Sequence, residues 1–170
     1  VVQVEETGRS ILFLLETNPG PGLGILIAYW IAGTGMAKQT APGAIIIHFF
    51  GGIHEIYFPY ILAHPIMLVA LWAGGITADI WFVIMDAGLV ATPSPGSIIA
   101  YLAVTPPGQH FGVLGGVLIA AVVSTVVGVG LLKVFPVKEF TSEDDVDDWN
   151  WDDEEEEEEV DLGTAAVPAA

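Results

Sequence analysis

The chain has 170 residues, 53% of them hydrophobic, a formal charge of −17 and no cysteine, which excludes disulfides, thiolate metal sites and a cysteinyl phosphoryl carrier. Its four cations, Arg9, Lys38, Lys133 and Lys138, are scattered and form no basic patch, so nucleic acid is excluded as a partner. Fourteen of the 21 acidic residues fall between Glu143 and Asp161, which separates an apolar, membrane-like body from an acidic end.

Residues 1–10 read as a short flank without chemistry. They lack the basic region of a secretory signal and begin without Met, so the chain is expected to be a fragment or the downstream half of something longer. Residues 11–15 are too few to span, and Glu16-Thr17-Asn18-Pro19-Gly20-Pro21-Gly22 reads as a turn-rich run that breaks any helix. Such a break is either a surface loop or, at membrane depth, a polar lining that protein or water must satisfy. In the second case Glu16 and Asn18 stand near a cavity.

Residues 23–37 are apolar apart from Tyr29 and Thr34 and are expected to form the first transmembrane helix. Lys38-Gln39-Thr40 then marks an interface, and Pro42-Gly43 restarts the chain. Residues 44–50 are enough to enter a bilayer and too few to cross it, which predicts a re-entrant hairpin turning at Gly51-Gly52. Just past its tip come His54 and Glu55, with His48 seven residues before Glu55. An ionisable group inside apolar sequence is a functional-site hypothesis in its own right, because it persists only against a cavity, a partner or a substrate. Tyr57 and Tyr60 supply further donors, and Pro59 cannot continue a hydrogen-bond ladder.

Residues 66–84 read as a clear span. Asp79 and Asp86, seven apart, are expected on about the same face, with Asp86 ending the helix in headgroup water and Asp79 bonded to Thr77 or the backbone. Residues 97–105 are another short apolar run, read as a second re-entrant hairpin. Residues 111–135 can cross with tilt and carry small residues for close helix contact. Lys133 and Lys138 put that end in the cytoplasm, and counting back puts Lys38 there too. Beyond residue 139 the acidic stretch, with six glutamates from Glu154 to Glu159, reads as a disordered cytoplasmic tail that solubilises the chain. The rival reading is a docking strip for a basic partner anchored by Trp149 and Trp151.

The fold class expected is therefore an all-α membrane protein of about three transmembrane helices and two re-entrant hairpins, with residues 11–138 as its membrane part. For a neutral polyol, affinity in a dehydrated cavity comes from hydrogen bonds, and a carboxylate is the strongest single acceptor for paired hydroxyls. Glu55 is the best candidate, with His54, Asn18, Glu16 and His48 as further substrate-binding candidates. A metal site is not expected, since His48, His54 and Glu55 lack the spacing of a helical zinc site.

Gly51-Gly52-Ile53-His54-Glu55-Ile56-Tyr57-Phe58-Pro59-Tyr60 closely resembles the signature of the membrane-spanning C component of the mannitol-specific enzyme II, in the bacterial phosphoenolpyruvate-dependent sugar phosphotransferase system. Phe13-Leu14-Leu15-Glu16-Thr17-Asn18-Pro19-Gly20-Pro21-Gly22-Leu23-Gly24 and Pro93-Ser94-Pro95-Gly96-Ser97-Ile98 resemble it in register, so the likeness covers residues 11–138. The resemblance implies that Glu55 contacts the sugar, with His54 beside it and the Asn18-to-Gly22 turn lining the same site. It implies translocation of mannitol or a similar hexitol across the cell membrane by a multi-pass permease. The hexitol is then phosphorylated to mannitol 1-phosphate by a separate phosphocysteine B component. No cofactor is implied. The phosphoryl donor residue is not on this chain, and Glu55 is the sole candidate base. Relatives carry further spans before the position of Val1, which implies a separate N-terminal half as partner and a homodimer when complete, surrounded by membrane lipid. Asp79 and Asp86 depart from the family pattern and receive no role from it. Two other readings stand beside this one: a non-catalytic, degenerate or truncated membrane subunit without transport activity alone, and an ion pathway through Glu55, Asp79 and Asp86.

Overall fold

Helices and their breaks set this architecture, and the breaks matter more. A computed structural model describes residues 8–136, all of which lie in one compact unit, Val1–Lys138. The acidic run, Lys138, Trp149 and Trp151 lie outside the described residues. Among the described residues the structure is helical and contains no strand, only an isolated bridge between Ser10 and Leu89.

The described residues form seven α-helices: α1 (Leu12–Thr17), α2 (Gly20–Ala32), α3 (Gly35–Phe49), α4 (Phe58–Ala63), α5 (Met67–Ile84), α6 (Ile98–Val104) and α7 (His110–Val134), with a 3-10 turn over His54–Tyr57 before α4. Two of them, α5 and α7, are long and apolar enough to cross a membrane. At about 1.5 Å per residue the 25 residues of α7 reach roughly 37 Å, enough for a bilayer core with tilt.

The expected span over residues 23–37 is corrected. Helix α2 has 13 residues and stops at Ala32, because Gly33 is extended, with ψ at 170°, and Gly35 has φ at +48°. Hydropathy runs on through Gly33-Thr34-Gly35 and hides this turn. Residues 38–43 are corrected as well, since they lie inside α3, with Pro42 in its interior. The Thr40 hydroxyl bonds to the Met36 carbonyl (2.9 Å) and meets the Tyr60 hydroxyl (2.8 Å), tying α3 to α4 at this turn. Ala41, Ala44 and His48 form the buried stripe of α3. Nor does the Pro-Gly run break every helix around it, for Gly20, Pro21 and Gly22 form the first turn of α2. Proline suits that place because the amide it lacks would have no helical partner there. Finally, Asp86 does not share a face of α5 with Asp79. The helix ends at Ile84, Asp86 takes φ +47°, and its carboxylate pairs with the Arg9 guanidinium.

Helix α7 is the hub, packing against both α2 and α5, which also touch each other. Small residues let the backbones approach. Gly20 lies against Val117 and Ala120, Gly24 against Ala121 and Ser124, Gly128 against Ala28, and Gly74 of α5 against Ala120 and Ser124. The Ser124 hydroxyl donates to the Ala70 carbonyl (2.9 Å) and the Thr125 hydroxyl to that of Gly24 (3.2 Å), so polar side chains join the helices inside an apolar surround. These pairings also fix the directions. Residues from Gly20 to Ala28 advance beside Val117 to Gly128, so α2 runs parallel to α7 and begins near its middle. Helix α5 is antiparallel, with Met67 beside Gly128 and Phe82 beside Gly116.

The opposite half of α7 is covered by other pieces. Leu14, Phe82, Leu89, Tyr101, Val113 and Val117 form one core, while Ile25, Tyr29, Ala41, Tyr60, Met67 and Leu132 form another. Ala37 and Leu131 pack on the second core, so the α3 and α7 ends carrying Lys38 and Lys133 are at the same end of the bundle. Outward, Trp72, Ile76, Ile80, Val83, Leu118, Val122 and Val126 are exposed. A helix pair apolar on its outer faces as well as its inner ones is what a lipid surround requires.

Candidate functional site

Where α1 stops, Asn18 and Pro19 interrupt the chain beside the middle of α7 and leave the first turn of α2 open. The Asn18 Oδ1 accepts from the Gly20 amide (2.9 Å), which occupies one end of the side chain, while its Nδ2 is buried without a hydrogen-bond partner. The Pro19 carbonyl, which takes the first helical bond of α2 from the Leu23 amide (3.0 Å), also accepts from Nε2–H of His48 at 2.8 Å. His48 is fully buried, and because a carbonyl can only accept, its ring carries a proton on Nε2.

The second break follows α3. Gly52, at φ +75°, turns the chain, and a Cβ there would lie 2.6 Å from the Ser97 amide nitrogen. The close approach lets His54 reach the third run, where its Nε2–H donates to the Gly96 carbonyl at 2.9 Å. Gly96 has no room for a side chain either, since a Cβ would stand 2.7 Å from that same Nε2. The rings of His48 and His54 are 4.7 Å apart and that of Tyr57 is 5.5 Å from His48. Gly22 faces Tyr57 and His48 so closely that a Cβ would fall 2.9 Å from the imidazole. Three segments far apart in sequence, at Asn18 to Gly22, Gly52 to Tyr57 and Gly96 to Ser97, thus close on one another.

Against this knot lies a cleft of about 320 Å³, lined by Leu15, Glu16, Asn18, Pro21, Gly22, His54 and Tyr57 on one side. The wall opposite is α5, through Leu71, Trp72, Gly75, Ile76 and Asp79. Its volume is at the lower end of the usual range for small-ligand sites, about 300–1,000 Å³. The lining offers acceptors in Glu16 and Asp79, donors in Asn18 and Tyr57, and an aromatic face in Trp72. That combination of a few polar groups on an apolar wall orients a hydroxylated solute by hydrogen bonds. Among the described residues no group of three or more His, Asp or Glu stands together as a metal site would require.

Of the residues singled out from sequence, Glu16, Asn18 and His54 line the cleft, and His48 stands one layer behind, buttressing both His54 and Pro19. Glu55 is exposed and is not among the lining residues, although it stands between His54 and Tyr57, which are. The contribution of α5 was missed. Leu71, Trp72, Gly75, Ile76 and Asp79 follow the spacing of a single helix face, and only the packing of the helices shows that this face meets the cleft. Asp79 has no hydrogen bond to Thr77, whose hydroxyl donates to the carbonyls of its own helix at Ala73 and Gly74.

The segments that meet here are the three runs carrying the family resemblance, and comparison with curated proteins bears that resemblance out. The PTS system mannitol-specific EIICB component of Geobacillus stearothermophilus is 65% identical over 133 residues, 78% of this chain. That of Bacillus subtilis is 62% identical over the same length. The chain is homologous to part of the mannitol-specific enzyme II. The mannitol-specific EIICBA component of Escherichia coli K12 is 52% identical over 147 residues, or 86% of the chain. These shares correspond to 28%, 28% and 23% of the relatives themselves, so the chain spans about a quarter of the length of the mannitol-specific proteins it matches. No family model and no solved structure matches it.

Proposed function

We propose that residues 11–138 form the solute-binding part of a mannitol-type permease, and that the cleft between the Asn18 break and α5 holds a hexitol. One observation carries this reading: two of the three family-like runs line a single cleft against α5, the third braces His54 through the Gly96 carbonyl, and a buried Asn18 Nδ2 there lacks a partner. A polar group left unsatisfied in an apolar interior costs about 1–3 kcal/mol, and a guest hydroxyl that accepts from it removes that cost. Discontinuous helices meeting at mid-depth are also how membrane transporters expose backbone and polar groups to a solute without exposing them to lipid.

In this reading Asn18, Glu16, His54 and Tyr57 contact the hexitol directly, and His48 holds Pro19 and His54 in place. Glu55 reaches the solute from the edge of the cleft and is the candidate base for the hydroxyl that is phosphorylated. The names of the relatives join C to B or BA, which supports a phosphorylated B component as the partner that supplies the phosphoryl group. Transport itself belongs to the complete assembly, with a separate N-terminal half and a second copy of the permease. The shared end of Lys38 and Lys133 supports placing that end, and the acidic tail after it, in the cytoplasm.

The test is equilibrium titration of mannitol into the chain held in lipid nanodiscs. Binding is expected in the wild type, with affinity lowered about fivefold to tenfold in Asn18→Ala, the size of one hydrogen bond to a buried donor. Glu55→Gln separates the roles of the acid. Weaker binding keeps Glu55 in contact with the solute, whereas unchanged affinity removes it from the site. A wild-type chain that binds no hexitol would favour the degenerate, non-transporting subunit instead.

A further inference from the structure

Asp79 is an ionisable residue of the cleft wall that no bond within the fold explains. It sits on α5, a helix of span length, and forms no hydrogen bond or ion pair among the described residues. Its neighbour Ala78 is fully buried in the core that also holds Leu14, Val117 and Ala120, so Asp79 stands at the height of the Asn18 break. The residues that share its face, Trp72, Gly75 and Ile76, also line the cleft, and the cations Arg9, Lys38 and Lys133 do not. An acid kept within a helix of span length with neither cation nor donor has to be satisfied by water or by what the cleft binds.

Resting on the reading that the cleft binds a polyol, we propose that Asp79 is a specificity-determining residue, whose carboxylate accepts hydrogen bonds from a pair of adjacent solute hydroxyls opposite Asn18 and His54. The two walls then divide the work. The Asn18 side donates through Nδ2, and the α5 side accepts through Asp79, so the cleft reads hydroxyls both as acceptors and as donors. Trp72, about two turns before Asp79 on the same wall, lays an apolar face along the carbon chain. Such an arrangement selects an extended polyol over a solute of equal size that lacks the matching hydroxyls, because a missing hydroxyl leaves a desolvated carboxylate unpaired.

The measurement is binding of mannitol and of its monodeoxy analogues to the chain in nanodiscs, for the wild type, Asp79→Asn and, as a control outside the cleft, Asp86→Asn. Helicity and thermal unfolding of each variant are followed alongside. The wild type is expected to reject at least one monodeoxy analogue by tenfold or more. Asp79→Asn should bind mannitol about tenfold more weakly and lose most of the discrimination against that same analogue, with unfolding unchanged; Asp86→Asn should match the wild type. A structural role for Asp79 would lower unfolding temperature and affinity for all analogues together, leaving discrimination intact, and would overturn the proposal. Equal affinities and equal discrimination in wild type and Asp79→Asn would overturn it as well. A wild type that binds no polyol fails at the earlier step, and removes the reading of the cleft together with the role of Asp79.

Discussion

Two glycines and a histidine hold the site's geometry at the level of single residues. Gly52 turns at φ +75° within van der Waals reach of Ser97, and Gly96 leaves space for the His54 ring whose proton its carbonyl accepts. A side chain at position 52 meets two obstacles at once, the left-handed backbone region and the Ser97 amide. Gly52→Ala is therefore expected to lower stability by roughly 1–3 kcal/mol, read as a fall in the midpoint of thermal unfolding in detergent. Gly43→Ala provides the comparison, since a Cβ there meets nothing within 4 Å and the helix gains about 0.5–1 kcal/mol. The ranking of these two variants, opposite in sign although both replace glycine by alanine, checks the geometry directly. Equal effects would mean that the Gly52 loop does not lie against Ser97.

Among elements, the cluster of α2, α5 and α7 depends on small residues and a few hydroxyls. Gly116 faces the Phe82 ring, so Gly116→Leu is expected to separate α5 from α7 and abolish the cooperative unfolding transition. Ser124→Ala removes the bond to the Ala70 carbonyl (2.9 Å) and should cost about 0.6 kcal/mol, the usual value for a hydroxyl between membrane helices. This is also the scale at which sequence and structure part. The spans α5 and α7 were legible because each is a long apolar run with a boundary at both ends, and the short α1 and α6 because they are visibly too short to cross. What was not legible was the pair of turns at Gly33 to Gly35 and the passage of α3 through Pro42. Hydropathy measures solubility in lipid and is blind to backbone direction, so an apolar turn reads as helix. A proline inside a helix likewise reads as an end when its neighbours repair the missing bond. At the site, two of the family-like runs named Glu16, Asn18 and His54 in advance. The α5 wall stayed hidden because the face a helix turns inward depends on its partners, and nothing local marks Trp72 or Asp79 as lining.

For the whole molecule, the arrangement solves a problem that lipid imposes. Backbone interrupted among packed helices needs partners, and here each break is tied to another: the Pro19 carbonyl, beside its bond from the Leu23 amide, takes the His48 proton, the Gly96 carbonyl takes that of His54, and the buried Asn18 amide nitrogen is left for a guest. The outer faces of α5 and α7 remain apolar, with Trp72 and Ile76 at the edge of the cleft and Leu118 and Val126 beyond it. Because the chain contains no cysteine, thiols introduced singly report on the cleft without background. The most direct measurement is the rate at which a small water-soluble maleimide labels Leu15→Cys and Ile76→Cys on facing walls, with and without saturating mannitol, beside Gly8→Cys outside the cleft. Mannitol is expected to slow labelling at both facing positions by tenfold or more and to leave the third unchanged. Equal rates with and without mannitol at positions 15 and 76, in a chain that labels readily at all three, would contradict a hexitol site between the Asn18 break and α5.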